Sequence, residues 1–277
     1  MPLDEARVPI TDRGFLWGDH VFEVIRAEAG RLCDGDAHLA RLVRSAALVR
    51  MSAPDVEAVE RAIAATLAAC AARSAAVRVI WTRGEARTLS LATAGAPRLV
   101  IIAEPLALAA GARGIRLAVV RGGRGGLVPA AAKSGNHLGS VLALAAAADA
   151  GADDALLVDE QDRVLETASA NLFLVEPGGV VTPSGALLAG VTGARVAQLL
   201  RATGHTVLTG AVSLDRVVAA TELFVTSSRR GVMPVVALDG SPRDVGPVAR
   251  AAATAYGRWL EACAEGRETA PLAYTGG

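Results

Sequence analysis

Lysine is almost missing from this 277-residue chain: Lys133 is the only one, and arginine supplies every other strongly cationic side chain. Aromatic residues amount to 3%, so a core has to be built from Leu, Val, Ile and Ala. Neither sign of charge is in excess, since Lys+Arg and Asp+Glu both number 28. That balance removes the electrostatic case for nucleic-acid or membrane-surface binding. Cys33, Cys70 and Cys263 lie far apart without CxxC spacing, which fits reduced structural thiols. The four histidines (His20, His38, His137, His205) are scattered, so no metal site is expected. No apolar run approaches the roughly 18 residues of a spanning helix, and the opening MPLDEARVPITDRG is too acidic and polar for a signal peptide. A cytoplasmic chain with no membrane or nucleic-acid partner is the expectation. Dinucleotide (GxGxxG), nucleophile-elbow (GxSxG) and P-loop motifs are missing as well. Chemistry here has to rest on something the chain does not itself carry.

What is present is apolar: 52% of residues and a mean hydropathy of +0.39, which excludes disorder. DHVFEVIR reads as a strand, followed by a turn and a short strand at Leu32. Leu39, Leu42, Val43 and Ala46 have helical spacing over 38–49, with Asp34 or Asp36 as a cap, and a second helix spans 56–72. Strands follow at AVRVIWTRG, PRLVIIAEPL and 111–120. After the glycine-rich RGGRGG come a helix at 135–150 and strands at ALLVD, RVLE, NLFLV and GVVTP. The chain closes with a helix at 191–203, strands HTVLT and ELFVTSS, a turn SRRGVMP, strand VVALDG and a helix at 244–265. Strands and helices mix without strict alternation, which predicts an α+β fold. The expected organisation is a small N-terminal domain at 1–110, an interdomain segment at 111–127 and a larger domain at 128–277.

Lys133 stands in the apolar run AAAKSGN ahead of a helix. Alone it reads equally as a solvated lysine. Desolvated, its amine would have a lowered pKa and serve as nucleophile and base, as Schiff-base chemistry needs. Glu166, in LETASANLFLV, reads alone as part of a strand and turn; beside such a lysine it could hold a pyridinium nitrogen protonated. Gly190, Val191 and Thr192 open a helix whose N–H groups favour a phosphate. Thr226, Ser227 and Ser228 offer hydroxyls to the same anion, and Arg41 a charge-assisted bond. Strand parity puts Arg26, Glu28 and Gly30 on one face, with Arg78 on a neighbouring strand and Arg83 and Arg87 around its end. A guanidinium is the natural clamp for a substrate carboxylate, Arg78 first and Arg87 second.

Taken in order, ITDRGFLWGDHVFEVIR, HLARL, TRG, AAKSGNHLGSVLA, GADDALLVDE, ETASANLF, GVTGARV and FVTSSRRGVMPV cover nearly the whole chain. Together they resemble the fold-type-IV (class IV) pyridoxal-phosphate family of branched-chain and D-amino acid aminotransferases, (R)-selective amine transaminases and aminodeoxychorismate lyases. The resemblance implies a two-domain fold with pyridoxal 5'-phosphate between the domains, and a homodimer. Lys133 would hold the cofactor covalently and Glu166 would meet its ring nitrogen. Ser169, Ala170 and Asn171 follow Glu166 in the cofactor-binding segment. Arg41, the backbone of Val191 and Thr192, and Ser227 or Ser228 would hold its phosphate. His137, next to Asn136 and Leu138, would lie near the ring and join Arg26, Glu28, Arg78 and Arg87 as substrate contacts. Three departures stand out: a usual first strand is missing, His20 replaces a common glycine, and Gly193 replaces an arginine, with Arg195 as the candidate to compensate. The lysine segment is closer to the D-amino acid enzymes than to the branched-chain ones, which carry a tyrosine just after GN. The activity implied is transfer of an amino group between a D-amino acid, with (R)-amines beside it, and a 2-keto acid. The alternative is 4-amino-4-deoxychorismate lyase, releasing pyruvate and 4-aminobenzoate, whose branch SANLF and SSRRGVMPV resemble.

Overall fold

The structure, a computed structural model, describes residues 1–106, 114–122, 127–267, 270–272 and 274. Contacts divide the chain into two compact units, Met1–Ala107 with Ala132–His137, and Leu108–Ala131 with Leu138–Gly277. A second domain is expected from 128, whereas residues 132–137, Lys133 included, cluster with the first unit. Of the expected interdomain segment, residues 111–113 and 123–126 lie outside the described residues.

The first unit carries α1 (Arg13–Trp17), β1 (His20–Glu28), β2 (Arg31–Leu32), α2 (Gly35–Leu48), α3 (Val56–Cys70), β3 (Ser74–Thr82) and β4 (Arg98–Pro105). Its sheet runs β2-β1-β3-β4, antiparallel throughout. Ala29 and Gly30 both have positive φ, as a two-residue hairpin between β1 and β2 needs. Alternation along the strands then sorts the side chains. Val21, Ile25, Ala27, Val77 and Val79 pack with Leu39, Leu42, Val59 and Ile63 of the two long helices. The even-numbered positions, Phe22, Val24, Arg26 and Glu28, pair with Ile80, Arg78, Ala76 and Ser74 and share the opposite face. Capping differs from expectation at one helix. Asp34 occupies the N-cap of α2 in a left-handed conformation and its side chain caps nothing, whereas Asp55 accepts from Ala58 N at 3.2 Å to start α3.

The second unit holds β5 (Ile115–Arg121), α4 (Leu138–Asp149), β6 (Asp154–Val158), β7 (Val164–Thr167), β8 (Asn171–Glu176), β9 (Gly179–Pro183), α5 (Val191–Ala202), β10 (Val207–Gly210), α6 (Leu214–Ala219), β11 (Glu222–Ser227), β12 (Gly231–Leu238), β13 (Ser241–Pro242) and α7 (Pro247–Ala264). Its strands run β10-β9-β8-β11-β12-β5-β6-β7, with β13 on β12. The far end, β7, returns against β8 and β9, so the sheet curls. Leu172, Leu174, Leu223 and Val225 fill one side. Their neighbours Asn171, Phe173, Phe224 and Thr226 take the other, in register Phe224↔Phe173 and Thr226↔Asn171. The two phenylalanine rings stack there at 4.9 Å and 5°. That pair directs Asn171 and Thr226 to one place.

The mixed α+β class read from the sequence is the observed one. Two short helices, α1 and α6, escaped that reading, each being too short to show a period. The segment SRRGVMP, read as a turn, is strand from Gly231 onward. Among the described residues no helix is long and apolar enough to cross a membrane.

Candidate active site

Lys133 is placed by β1. Phe22 N donates to Lys133 O at 2.9 Å, Gly135 N donates to His20 O at 2.9 Å, and Val21 bridges to Ser134. The lysine-bearing segment is thus tied to β1 by two backbone hydrogen bonds and one isolated antiparallel bridge. Ser45 Oγ, itself buried, accepts from Lys133 N at 3.1 Å and ties the segment to α2. The side chain is half-buried and its amine lies 4.4 Å from the centroid of the Phe22 ring. The Arg78 guanidinium lies 5.3 Å from the same centroid. His137 meets that ring edge-on at 4.8 Å. Three of the expected residues therefore converge on one aromatic ring that the sequence reading did not single out. Strand parity held the signal: Phe22 lies on the face shared by Arg26 and Arg78.

The other candidates of this unit are committed elsewhere. Arg26 Nε donates to Glu28 Oε1 at 2.6 Å, both side chains are buried, and Ser74 Oγ donates to the second carboxylate oxygen. Arg83 bonds Asp19 and the carbonyls of Val49 and Arg50. Arg87 is exposed. On the helix-covered face, Arg41 donates through Nε and an Nη to both oxygens of Glu23 at 2.7 Å, and His38 Nδ1 lies 2.8 Å from the same carboxylate. Burial alone would raise Glu23, but the Arg41 guanidinium and the hydrogen bonds from Arg41 and His38 hold it at about 2. Neither Glu23 nor His38 was singled out from the sequence, since nothing in FEVIR or HLARL alone says that these residues meet.

In the second unit the start of α5 is an anion cradle. Gly190 caps the helix without a side chain, so the N–H groups of Val191, Thr192 and Gly193 have no acceptor within it. A Cβ on Gly190 would lie 1.7 Å from Asn171 Oδ1, so glycine is the residue that lets the turn approach β8. Beside the turn, Thr192 Oγ1 and Ser228 Oγ are 3.3 Å apart. Thr226 Oγ1 is buried and has no hydrogen-bond partner among the described residues. An unpartnered buried hydroxyl beside a helix N-terminus is the mark of a missing acceptor or anion. Ser227 instead accepts from Arg230 N at 3.3 Å. Arg195 does not replace the missing arginine at this turn: its guanidinium stacks on Trp259 at 4.9 Å and donates to Ala270 O at 2.8 Å.

Glu166, on β7, is buried and accepts from Asn171 Nδ2 at 3.3 Å and Leu188 N at 3.4 Å. Asn171 thereby touches both the carboxylate and the approach to the cradle. Ser169 bonds Asp154 and Arg230, and Ala170 N donates to Thr167 Oγ1 at 2.8 Å, which fixes the turn between Glu166 and Asn171.

A model of the family described as Amino-transferase class IV matches residues 20–238. The chain is 34% identical over 242 residues to a provisionally assigned branched-chain-amino-acid aminotransferase of Methanocaldococcus jannaschii, covering 85% of this chain and 84% of that one. It is 32% identical to an aminodeoxychorismate lyase of Vibrio harveyi, covering 84% and 88%. It is 29% identical to a D-alanine aminotransferase of Bacillus licheniformis, covering 87% and 86%. The crystal structure of a branched-chain amino acid aminotransferase from T.th., with pyridoxamine 5'-phosphate, superposes with a TM-score of 0.87 at 29% identity, over 96% and 92% of the two chains. The chain belongs to the class IV aminotransferases, fold-type-IV enzymes that work with pyridoxal 5'-phosphate.

Proposed function

We propose that the chain transfers an amino group from a D-amino acid, with (R)-primary amines as further donors, to a 2-keto acid. The observation that carries this reading is the pair of cations on Phe22: an amine for chemistry and, over the same ring, a guanidinium for a carboxylate. Preference for the D-series rests on HLG after the lysine segment, where branched-chain enzymes carry tyrosine, and on the likeness to a D-alanine aminotransferase.

The residues fit pyridoxal phosphate. The orphaned Thr226 hydroxyl and the open N–H groups of α5 suit a phosphate dianion, and the buried Glu166 suits a protonated ring nitrogen. Bound, the cofactor supplies an electron sink for the charge left when a donor's α-carbon loses its proton. The amine of Lys133 would hold the cofactor, and as a free amine it would take the proton from the donor's α-carbon. Glu166 keeps a proton on the ring nitrogen, and Asn171 orients Glu166. The backbone of Val191 and Thr192, with the hydroxyls of Ser227 and Ser228, would hold the phosphate, and by the family resemblance Arg41 would add charge. Arg78 takes the donor's carboxylate, and His137 lines the same ring. Arg26 and Glu28, neutralising one another, shape the donor's surroundings rather than clamp its carboxylate; Arg87, exposed, is the weaker clamp.

A panel of D- and L-amino donors with pyruvate or 2-oxoglutarate tests the reading. D-donors are expected to turn over at least about tenfold faster than L-leucine or L-valine. Arg78→Gln is expected to raise KM for amino acids by about tenfold or more, on the scale of a charge-assisted bond, while (R)-amines lacking a carboxylate are unaffected. Faster turnover of branched L-donors would replace the D-reading with that of the branched-chain relatives. The likeness to the lyase favours a second reading, which pyruvate release from aminodeoxychorismate without amino exchange would establish.

A homodimer is proposed as well. Phe15 and Ile10 are more than two-thirds exposed, and α4 presents Leu138, Val141 and Leu142 with no charge before Asp149. Sedimentation of the full chain is expected to give twice the 28.2 kDa chain mass; a monomer at micromolar concentration would refute it.

A further inference from the structure

The chain's own departure at position 20 lies under the lysine segment. His20 is on the same face of β1 as Phe22, and its carbonyl accepts from Gly135 N. Its imidazole covers Gly135 so closely that a Cβ there would lie 1.9 Å from Cε1, 2.1 Å from Nε2 and 2.5 Å from Nδ1. Two residues earlier, Gly18 adopts a left-handed conformation, and a Cβ there would meet Asn136 Oδ1 at 2.7 Å. The turn 18–20 and the segment 133–137 therefore interlock, each made possible by the other's glycine. The His20 ring also stands edge-on to Phe22 at 6.4 Å, and Phe22 is the ring under the Lys133 amine.

We propose that His20 is a positioning residue for Lys133: its neutral imidazole clamps Gly135 and so fixes the lysine amine over Phe22. The proposal rests on Lys133 being the working amine. A glycine at position 20 would leave the space over Gly135 empty, and the segment would keep only its two backbone bonds to β1 and the bond from Lys133 N to Ser45. A charged imidazole there would be a half-buried cation beside the segment that carries Lys133. Burial pushes His20 below the ordinary histidine range. The charged groups that act on it are Asp12 and Asp19, flanking α1, and Arg78 on β3, while Lys133 and His137 meet the adjoining Phe22 ring. Because burial lowers the folded-state value, the ring stays neutral in the folded chain at the ordinary histidine value of about 6.5 and below it. The clamp weakens on further acidification, as the folded ring takes up a proton.

Lys133 being the sole lysine makes the test direct. Reductive methylation of the cofactor-free chain with carbon-13 formaldehyde gives one dimethyl-lysine signal besides that of the N-terminus. In the unaltered sequence that signal is expected to be displaced by the Phe22 ring current and to move twice with pH. One step is its own ionisation and the other lies on the acid side, as His20 charges. His20→Gln, which retains bulk but cannot ionise, removes the acid step and leaves the displacement. His20→Gly removes the acid step and returns the signal toward that of an unstructured lysine. An acid step that persists in His20→Gln, or an undisplaced signal in the unaltered chain, overturns the proposal. With cofactor loaded, His20→Gln is expected to release it several-fold more slowly than the unaltered chain at a pH below the acid step of the methyl signal. Equal release rates would count against the clamp. A chain that takes up no cofactor but shows the methyl behaviour described would sink the proposed function and leave the role of His20 standing.

Discussion

Replacing Lys133 by methionine is expected to abolish amino transfer, by a factor of at least about 10⁴, while leaving the fold in place. The factor follows from removing at one stroke the nucleophile that holds the cofactor and the base that moves the substrate proton; general acid–base catalysis alone contributes roughly 10²–10⁴. The fold survives because the backbone groups of this residue, not its amine, are what β1 and Ser45 hold. A methionine of similar length keeps the contact with Phe22, as a thioether on a ring instead of an ammonium. Melting should therefore shift by no more than about 3 °C. Borohydride trapping supplies the second measurement. With a single lysine, pyridoxyl label on the unaltered chain must appear in the peptide containing residue 133 and vanish in Lys133→Met. Label elsewhere, or turnover surviving in the variant, would move the chemistry to another group.

Much of the second unit was legible in the sequence because its elements carry strong local signals. GVTGARVAQLL opens on glycine and continues with helical spacing, and α5 starts at Val191 as read. NLFLV and ELFVTS are short apolar runs bounded by polar residues, and they pair in the register that brings Asn171 opposite Thr226. The spatial roles were harder to read. Thr226 was one hydroxyl among three, and only its burial without a partner separates it from Ser227, whose oxygen serves a turn. Parity puts Arg26 on the same face as Arg78, among the expected substrate contacts. The difference is Glu28, two residues along the same strand, which occupies one guanidinium and leaves the other over Phe22. Pairings within a sheet face depend on side-chain reach, which period-2 reasoning does not contain. The placement of Lys133 was hidden for a different reason: its segment bonds to β1 across more than a hundred residues of chain, and no local pattern reports such a bridge.

Glu23→Gln is expected to destabilise the chain by about 3–5 kcal/mol, the cost of leaving one partner of a buried ion pair uncompensated. For a chain of this size that is a fall in melting temperature on the order of 10 °C. The carboxylate is fully buried under α2 and answers two groups at once, the fork of Arg41 and the ring of His38. An amide can accept from one of them but brings an N–H toward the other, and the guanidinium keeps its charge. The pH dependence separates this from a loss of packing. Glu23 has its folded-state value depressed from 4.5 to about 2, so its contribution is complete above pH 4.5 and is lost as pH falls from there toward 2. By linkage the interval is worth about 3 kcal/mol. His38, held below its usual range by burial, acts in the same direction at higher pH, since charging it costs stability as pH falls below about 6.5. Denaturant midpoints measured from pH 7 to pH 3 should thus fall steeply for the unaltered chain. In Glu23→Gln they should start lower and lose the part of the slope below pH 4.5. Parallel curves for the two chains would mean that the carboxylate is not what orders Arg41. That outcome would also remove the reason for expecting Arg41 to present a fixed charge to a phosphate, because a guanidinium is a directional donor only when its plane is held.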